Sequence, residues 1–267
     1  MRRFVKPRAV KAYGVSRRMR SGRNQPLLVL ARDATGGVLR CVVKPRPRLA
    51  APPSEYLFEW LGSTLARRLG LTVPDPLAVT ITSEFVSAAS KPFRTELNGS
   101  VGLVFGSRFV TMTDRKPRSH GLVASQRETA AQVLAFDVFI HNSDRRAVNN
   151  NLFIDRNDIL LFDHELAFDF LLPIIGAVDP VLDHCPSIVE QHVFFDPLRQ
   201  HPPKLDRFRA ALARLDDNFF ADLEAATPVE WTVDHARGKL SRIVEVLRRR
   251  RDAVDDWLPK VFACLDR

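Results

Sequence analysis

Between Phe136 and His164 the chain carries polar residues at a spacing suited to moving a phosphoryl group. The stretch runs Phe136-Asp137-Val138-Phe139-Ile140-His141-Asn142-Ser143-Asp144-Arg145-Arg146-Ala147-Val148-Asn149-Asn150-Asn151-Leu152-Phe153 and resumes at Leu161-Phe162-Asp163-His164. A helix empties into a polar loop that holds an aspartate with an asparagine five residues on, and a hairpin then presents a second aspartate at the end of an apolar strand. Phosphoryl transfer needs a carboxylate to orient the attacking hydroxyl and take its proton, and hard oxygen ligands for Mg²⁺. Asp144 supplies the first; Asn149 and Asp163 supply the second. Asn149-Asn150-Asn151 leaves the choice of amide open by a position or two, and the interval from Asp144 favours Asn149, with Asn151 read as a loop-organising amide.

The elements that must position these groups follow from periodicity. Ser125-Gln126-Arg127-Glu128 reads as a capping box that opens a helix through Ala130, Val133, Leu134, Phe136, Val138 and Ile140, the most apolar helix of the chain and central to its core. Leu152–Ile154 and Ile159–Phe162, separated by Asp155-Arg156-Asn157-Asp158, read as a hairpin. Upstream, Ala9–Val15, Leu27–Ala31 and Val38–Val43 are strand candidates, the last two joined by the turn residues Asp33 to Gly37, so a hairpin ends at Lys44. Ser54 is a plausible N-cap for a helix with Leu57, Leu61, Leu65 and Leu69 on one face and Gly70 behind it. Val79–Ile81 and Val101–Val110 are further strands, and Leu240, Ile243, Val244 and Leu247 mark the apolar face of a last long helix.

The composition excludes several classes. Hydrophobic residues make up 45% and charged residues 27% of the 267, as expected of a chain that folds around a core. The formal charge of +9 is local: residues 1–23 hold nine Lys/Arg and no acid, and with totals of 40 basic and 31 acidic residues the remainder is neutral. That distribution suits an anion-seeking N-terminal segment better than a nucleic-acid-reading domain. Cys41, Cys185 and Cys264 stand far apart, with no disulfide or zinc pattern, which fits a reducing, cytoplasmic setting. There is no signal-peptide core and no run of membrane-spanning length.

The run N-x-D-R-x-x-x-N-x-N-L from Asn142 to Leu152, with Phe162-Asp163-His164 after it, resembles the HipA-like kinases, distant relatives of protein kinases and phosphoinositide kinases. The resemblance takes in Val42-Val43-Lys44, Ser54-Glu55-Tyr56 and Val104-Phe105-Gly106-Ser107-Arg108-Phe109, and covers about residues 20–170. It implies an α+β, bilobal protein-kinase-like fold: a small β-rich N-lobe over residues 1–110 and a larger, mainly helical C-lobe over 111–267, with ATP in the cleft. On that likeness Asp144 is the catalytic aspartate, Asn149 and Asp163 are the metal ligands, and Lys44 meets the α/β-phosphates. Glu55 is preferred to Glu59 as the partner of Lys44. Ser21, Gly22 and Arg23 stand where the phosphate-covering loop belongs, and Phe105, Gly106 and Ser107 form or adjoin the segment that receives adenine. The cofactors implied are ATP and Mg²⁺, and the acceptor is a Ser/Thr-type hydroxyl of a protein or of the chain itself. A small metabolite or lipid acceptor, or a nucleotide-binding module without turnover, are the alternatives. The chain is shorter than the larger HipA toxins and on this reading lacks their extra N-terminal subdomain, so their DNA-binding antitoxin partner is not carried over.

The remaining polar groups receive structural readings. Asp137 is a helix carboxylate without a chemical task, and His164 points away from the direction of Asp163. Asp183-His184-Cys185 and His192 pack or cap, their spacing matching no zinc pattern. Arg248–Arg251 form a solvated helix end that suits the helix dipole.

Overall fold

Alternation of buried and exposed side chains sets the first strand, with Val10 and Ala12 inside and Lys11 and Tyr13 outside. The structure, a computed structural model, describes residues 6–19, 24–111, 122–155, 158–171, 186–199 and 206–266. It is α+β, with a β-rich N-terminal part and a helical C-terminal part, and the chain divides into two compact units. The first holds residues 1–60, 74–111 and 225–237; the second holds 61–73, 112–224 and 238–267.

The first unit is built on a closed barrel. Strands β1 (Arg8–Arg18), β2 (Leu27–Asp33) and β3 (Val38–Val43) pair antiparallel in sequence order. Helix α1 (Pro52–Arg68) follows, and then β4 (Pro76–Ile81), the short helices α2 (Ser83–Ala88) and α3 (Lys91–Asn98), and β5 (Gly102–Arg108). Strand β5 pairs with both β3 and β4, and β4 closes the barrel by lying parallel to β1. Register shifts in β1 at Ala12/Gly14 and Val15/Arg17 supply the extra bend that closure of so few strands requires. The β2–β3 turn is tied by Asp33, whose carboxylate accepts from the Thr35 and Gly37 amides at 2.9 and 2.8 Å. Gly106 is required by close approach: a Cβ there would stand 2.7 Å from Val79 Cγ2 and 3.3 Å from the Val42 carbonyl.

Helix α1 begins at Pro52, two residues before the expected cap Ser54, with Pro52-Pro53 in its first turn, where an absent N–H costs nothing. Leu57, Leu61, Leu65 and Leu69 are buried as their spacing requires. Residues 225–237 join this unit through aromatic packing that no local pattern announces. The Trp231 ring lies 6.4 Å from Tyr56 and 6.0 Å from Phe105, and the Trp60 indole N–H donates to Thr227 at 3.1 Å.

The second unit is organised by α4 (Ala124–Ile140), in which Ala130, Ala131 and every residue from Val133 to Ile140 is buried. A helix apolar on all sides belongs in the middle of a bundle. Its start corrects the expected cap. The helix opens at Ala124, so Ser125 lies in the first turn, and the Gln126 side chain reaches back to accept from the Val123 amide at 3.1 Å. Strands β6 (Leu152–Asp155) and β7 (Asp158–Leu161) form the expected hairpin, and Thr72 extends it by accepting from the Leu161 amide at 2.9 Å. Helices α5 (Pro186–Glu190), α6 (Phe195–Arg199), α7 (Asp206–Leu212), α8 (Asp217–Ala226), α9 (Lys239–Asp252) and α10 (Val254–Ala263) complete the described chain. Arg248–Arg251 are not uniformly solvated. Arg250 is fully buried, donates to the Phe139 carbonyl at 2.7 Å and lies 4.5 Å over the Phe170 ring. It falls on the face of Ile243 and Leu247, which carries it inward. Among the described residues no helix is long and apolar enough to cross a membrane.

The Trp231 packing sets a test. Truncating a buried Trp removes its transfer free energy and leaves a cavity, a cost of roughly 3–5 kcal/mol, so Trp231→Ala is expected to lower the denaturation midpoint sharply. Among the described residues the indole N–H has no hydrogen-bond partner, so Trp231→Phe deletes no bond seen there and is expected to retain most of that stability. Urea unfolding of the two variants beside the parent checks both.

Candidate active site

The site is organised around a carboxylate expected to have no chemical task. Asp137, three residues from the end of α4, is completely buried, and a buried charge persists only when paired and hydrogen-bonded. Its Oδ2 accepts from Arg145 Nε at 2.6 Å and from His192 Nε2 at 3.1 Å, and its Oδ1 accepts from the Asn142 side chain at 2.9 Å. Burial alone would push its pKa up. The Arg145 charge and the bonds from His192 and Arg145 outweigh burial and hold it below the usual carboxylate range. His192 Nδ1 accepts from the Phe194 amide, so the ring proton sits on Nε2 toward Asp137, and burial keeps the imidazole neutral by lowering its pKa. His192 thus serves Asp137, while Asp183, His184 and Cys185, expected like it to pack or cap, lie outside the described residues.

Arg145 carries this anchor into the loop. Its Nη1 donates to the carbonyls of Asn151 at 2.5 Å, Asn150 at 3.5 Å and Phe162 at 3.4 Å, joining the end of the loop after α4 to the end of β7. The Phe162 amide donates to the Asn151 carbonyl at 3.1 Å across the same junction. Asp144, the residue before Arg145, and Asp163, the residue after Phe162, are thereby brought to one end of the hairpin.

Asp144 is half-buried, and its Oδ2 accepts from Asn149 Nδ2 at 2.7 Å and from Asn151 Nδ2 at 2.9 Å. Both asparagines therefore serve Asp144, and Asn151 holds a left-handed φ of 47° that its short amide side chain tolerates. Asn149 is exposed, and with its Nδ2 engaged the amide leaves Oδ1 as a hard oxygen donor. Asp163 is half-buried with a φ of 63°, and a carboxylate oxygen of buried Glu165 lies within 4.8 Å of one of its own. Glu165 was missed in the sequence, though its two-residue interval from Asp163 in a loop was a usable signal. His164 turns into the core: it packs edge-on to Phe136 and against Gly62, where a Cβ would meet the His164 Cβ at 2.6 Å.

In the first unit Lys44 follows β3, and its Nζ pairs with Glu59 at 2.6 Å, with both side chains largely buried. This corrects the preference for Glu55. Glu55 Oε1 accepts from the amides of Ala50 and Ala51 at 3.0 and 3.2 Å, satisfying donors that the start of α1 would otherwise leave open. Tyr56 fixes the other end of the lysine by donating to its carbonyl at 3.0 Å. Of the residues expected near adenine, Phe105 packs its ring on Trp231 and Gly106 is enclosed between β3 and β4, which leaves Ser107 half-exposed. Ser21, Gly22 and Arg23 lie outside the described residues.

A buried helix anchor, a loop aspartate held by two amides, and a second aspartate on the adjoining hairpin end are thus gathered in one region of the second unit. A model of the HipA-like kinase family matches residues 13–255, and the chain belongs to that family. No curated protein matches it. Among solved structures it is similar to the Helicobacter pylori proinflammatory kinase CtkA, with 12% identity, 93% of this chain and 99% of that chain covered, and a TM-score of 0.52. The Rio2 kinase of Chaetomium thermophilum, solved as an ADP/Mg²⁺-phosphoaspartate complex, aligns at 13% identity over 91% of this chain and 72% of that one, with a TM-score of 0.41.

The anchor makes stability pH-dependent. With its pKa lowered in the fold, His192 binds a proton more readily when unfolded, so its contribution falls as pH drops below the ordinary value of 6.5. Asp137, lowered from 3.8, adds a loss of the same sign as pH falls through that value toward its folded pKa. The urea midpoint is therefore expected to fall between pH 7.5 and pH 5, and His192→Gln is expected to flatten that slope while lowering the plateau.

Proposed function

We propose that the protein is an ATP- and Mg²⁺-dependent kinase that transfers the γ-phosphoryl group to a Ser/Thr-type hydroxyl of a protein, itself included. The observation that carries this reading is the state of Asp144: two asparagine amides occupy Oδ2, which fixes the carboxylate and leaves Oδ1 to meet a hydroxyl. On this reading the two units are the two lobes of a kinase, Lys44 belonging to the first and Asp144, Asn149 and Asp163 to the second.

The donor set fits Mg²⁺, which takes hard oxygens and keeps part of its coordination for water and phosphate. Asn149 Oδ1 and the Asp163 carboxylate would hold it, with Glu165 beside Asp163. When bound, the ion offsets charge on the phosphate oxygens. The chain's own part is positioning. Asp144 Oδ1 accepts the hydrogen bond of the incoming hydroxyl, aligns its oxygen in line with the leaving group and takes the proton as the new O–P bond forms. Asn149 and Asn151 keep Oδ2 from rotating into that place. Lys44, held by Glu59 at its ammonium and by the Tyr56 bond at its carbonyl, offers a fixed positive charge to phosphate oxygens.

The test is incubation of the pure protein with MgCl₂ and γ-labelled ATP, read as ADP release and intact mass. The parent is expected to gain phosphate or release ADP. Loss of a positioned proton acceptor costs on the order of 10²–10⁴-fold, so Asp144→Asn is expected to fall by that factor. Equal turnover in the two proteins would remove Asp144 from the chemistry.

A further inference from the structure

A second set of contacts holds the loop of Asp144 at the residues that precede it, and its centre is Asp169. This carboxylate lies in a short 3-10 turn, Asp169–Leu171, six residues beyond Asp163. One oxygen, Oδ1, meets His141 Nδ1, and the other, Oδ2, accepts from the Ser143 hydroxyl at 2.7 Å. His141 is the left-handed residue that ends α4, with φ 52°, and Ser143 directly precedes Asp144. A single carboxylate therefore spans the turn that carries the chain out of the helix and toward Asp144.

Asp169 is itself held firmly. Phe168 before it is fully buried with a left-handed φ of 62°, a strained state for a bulky residue, and its amide donates to the Ile140 carbonyl at 3.0 Å. Phe170 after it packs edge-on to the His141 ring and lies beneath the Arg250 guanidinium. That guanidinium in turn donates to the Phe139 carbonyl. Two aromatic anchors flank the carboxylate and both refer it back to the last turn of α4. The loop continues the chain of contacts, since Arg146 Nε donates to the Ser143 carbonyl at 2.7 Å and the Arg146 amide donates to the Asp144 carbonyl at 2.9 Å.

We propose that Asp169 is a positioning residue for Asp144, acting through Ser143 and His141. It thereby makes alignment of the acceptor-binding carboxylate depend on the segment that follows Asp163. Asp137 fixes Arg145, the residue after Asp144, and Asp169 fixes Ser143, the residue before it; removal of either leaves the peptide plane free to turn at one end. The inference rests on the proposed role of Asp144 for its catalytic meaning, while the geometry it asserts does not.

The experiment separates the two. Asp169→Ala removes both acceptors, Asp169→Asn returns one oxygen that can accept from Ser143, and Asp158→Ala, at an exposed position of the β6–β7 hairpin, serves as a control. The first readout needs no turnover: the side-chain amide signals of Asn149 and Asn151 in a ¹⁵N correlation spectrum report the bonds to Asp144. They are expected to shift in Asp169→Ala, to return partway in Asp169→Asn and to stay in place in Asp158→Ala. Signals unmoved in Asp169→Ala overturn the proposal, whatever the activity. The second readout is turnover with MgCl₂ and ATP. Loss of alignment costs on the order of 10–10²-fold, expected in kcat with KM for ATP unchanged in Asp169→Ala and partly recovered in Asp169→Asn. A rise in KM alone, or a loss that Asp169→Asn does not recover, also overturns it. Amide signals that shift in a protein whose parent neither gains phosphate nor releases ADP would support the positioning and overturn the kinase reading instead.

Discussion

The ion pair between Asp137 and Arg145 is the constraint on which the site depends. Both side chains are shut off from solvent, and a buried pair of this kind brings little net stability because desolvation of each ion offsets their attraction. Its effect is geometric. Arg145 has a planar, forked guanidinium, so Nε can bind Asp137 while Nη1 gathers three carbonyls from two chain segments. An ammonium in its place would meet the charge of Asp137 but could not span both groups. Asp137 is fixed in turn by α4, whose residues 130–140 are all buried.

Around that pair the backbone is held in conformations it would not choose alone. His141, Asn151, Asp163 and Phe168 all have positive φ, in a stretch of fewer than thirty residues. Each costs of order 1–3 kcal/mol for a residue that resists it, less for asparagine and aspartate, and such residues persist only where their surroundings over-determine them. Here the surroundings can be named. Arg145 holds the Asn151 carbonyl, the Phe168 amide is tied to Ile140, and the ring of His141 is seated between Asp169 and Phe170. Strain gathers where three turns must bring side chains from a helix end, a loop and a hairpin to one place.

Much of this was legible in the sequence, and the failures share a physical cause. The hairpin at Leu152–Asp155 and Asp158–Leu161, the buried leucine row of α1 and the polar loop around Asp144 follow from local periodicity and turn chemistry. Glu55 and Glu59 stand four residues apart on one helix face, so spacing could not choose between them; the open amides before α1 claim Glu55 and release Glu59 for Lys44. Arg250, Trp231 and the closure of β4 on β1 depend on partners far away in the chain and leave no periodic trace. Asp137 could have been found. The one acid in the buried second half of α4 must be paired, and the nearest cation on the following loop is Arg145.

The same logic governs both units. Glu59 lies between Tyr56 and Trp60 on a buried stretch of α1, as Asp137 lies within the apolar α4, and each carboxylate binds one cation at 2.6 Å. Neither pair is economical as a source of stability, because hydrophobic residues of similar volume would fill those positions without desolvating an ion. What such a pair supplies is a cation whose reach and direction are set by a helix instead of by its own flexible stem. For Arg145 that direction is inward, toward the carbonyls that shape the Asp144 loop. Lys44 is held at both ends, by Tyr56 at its carbonyl and by Glu59 at its ammonium, and a lysine so held has already given up the rotamer freedom that a flexible one would lose on meeting a phosphate.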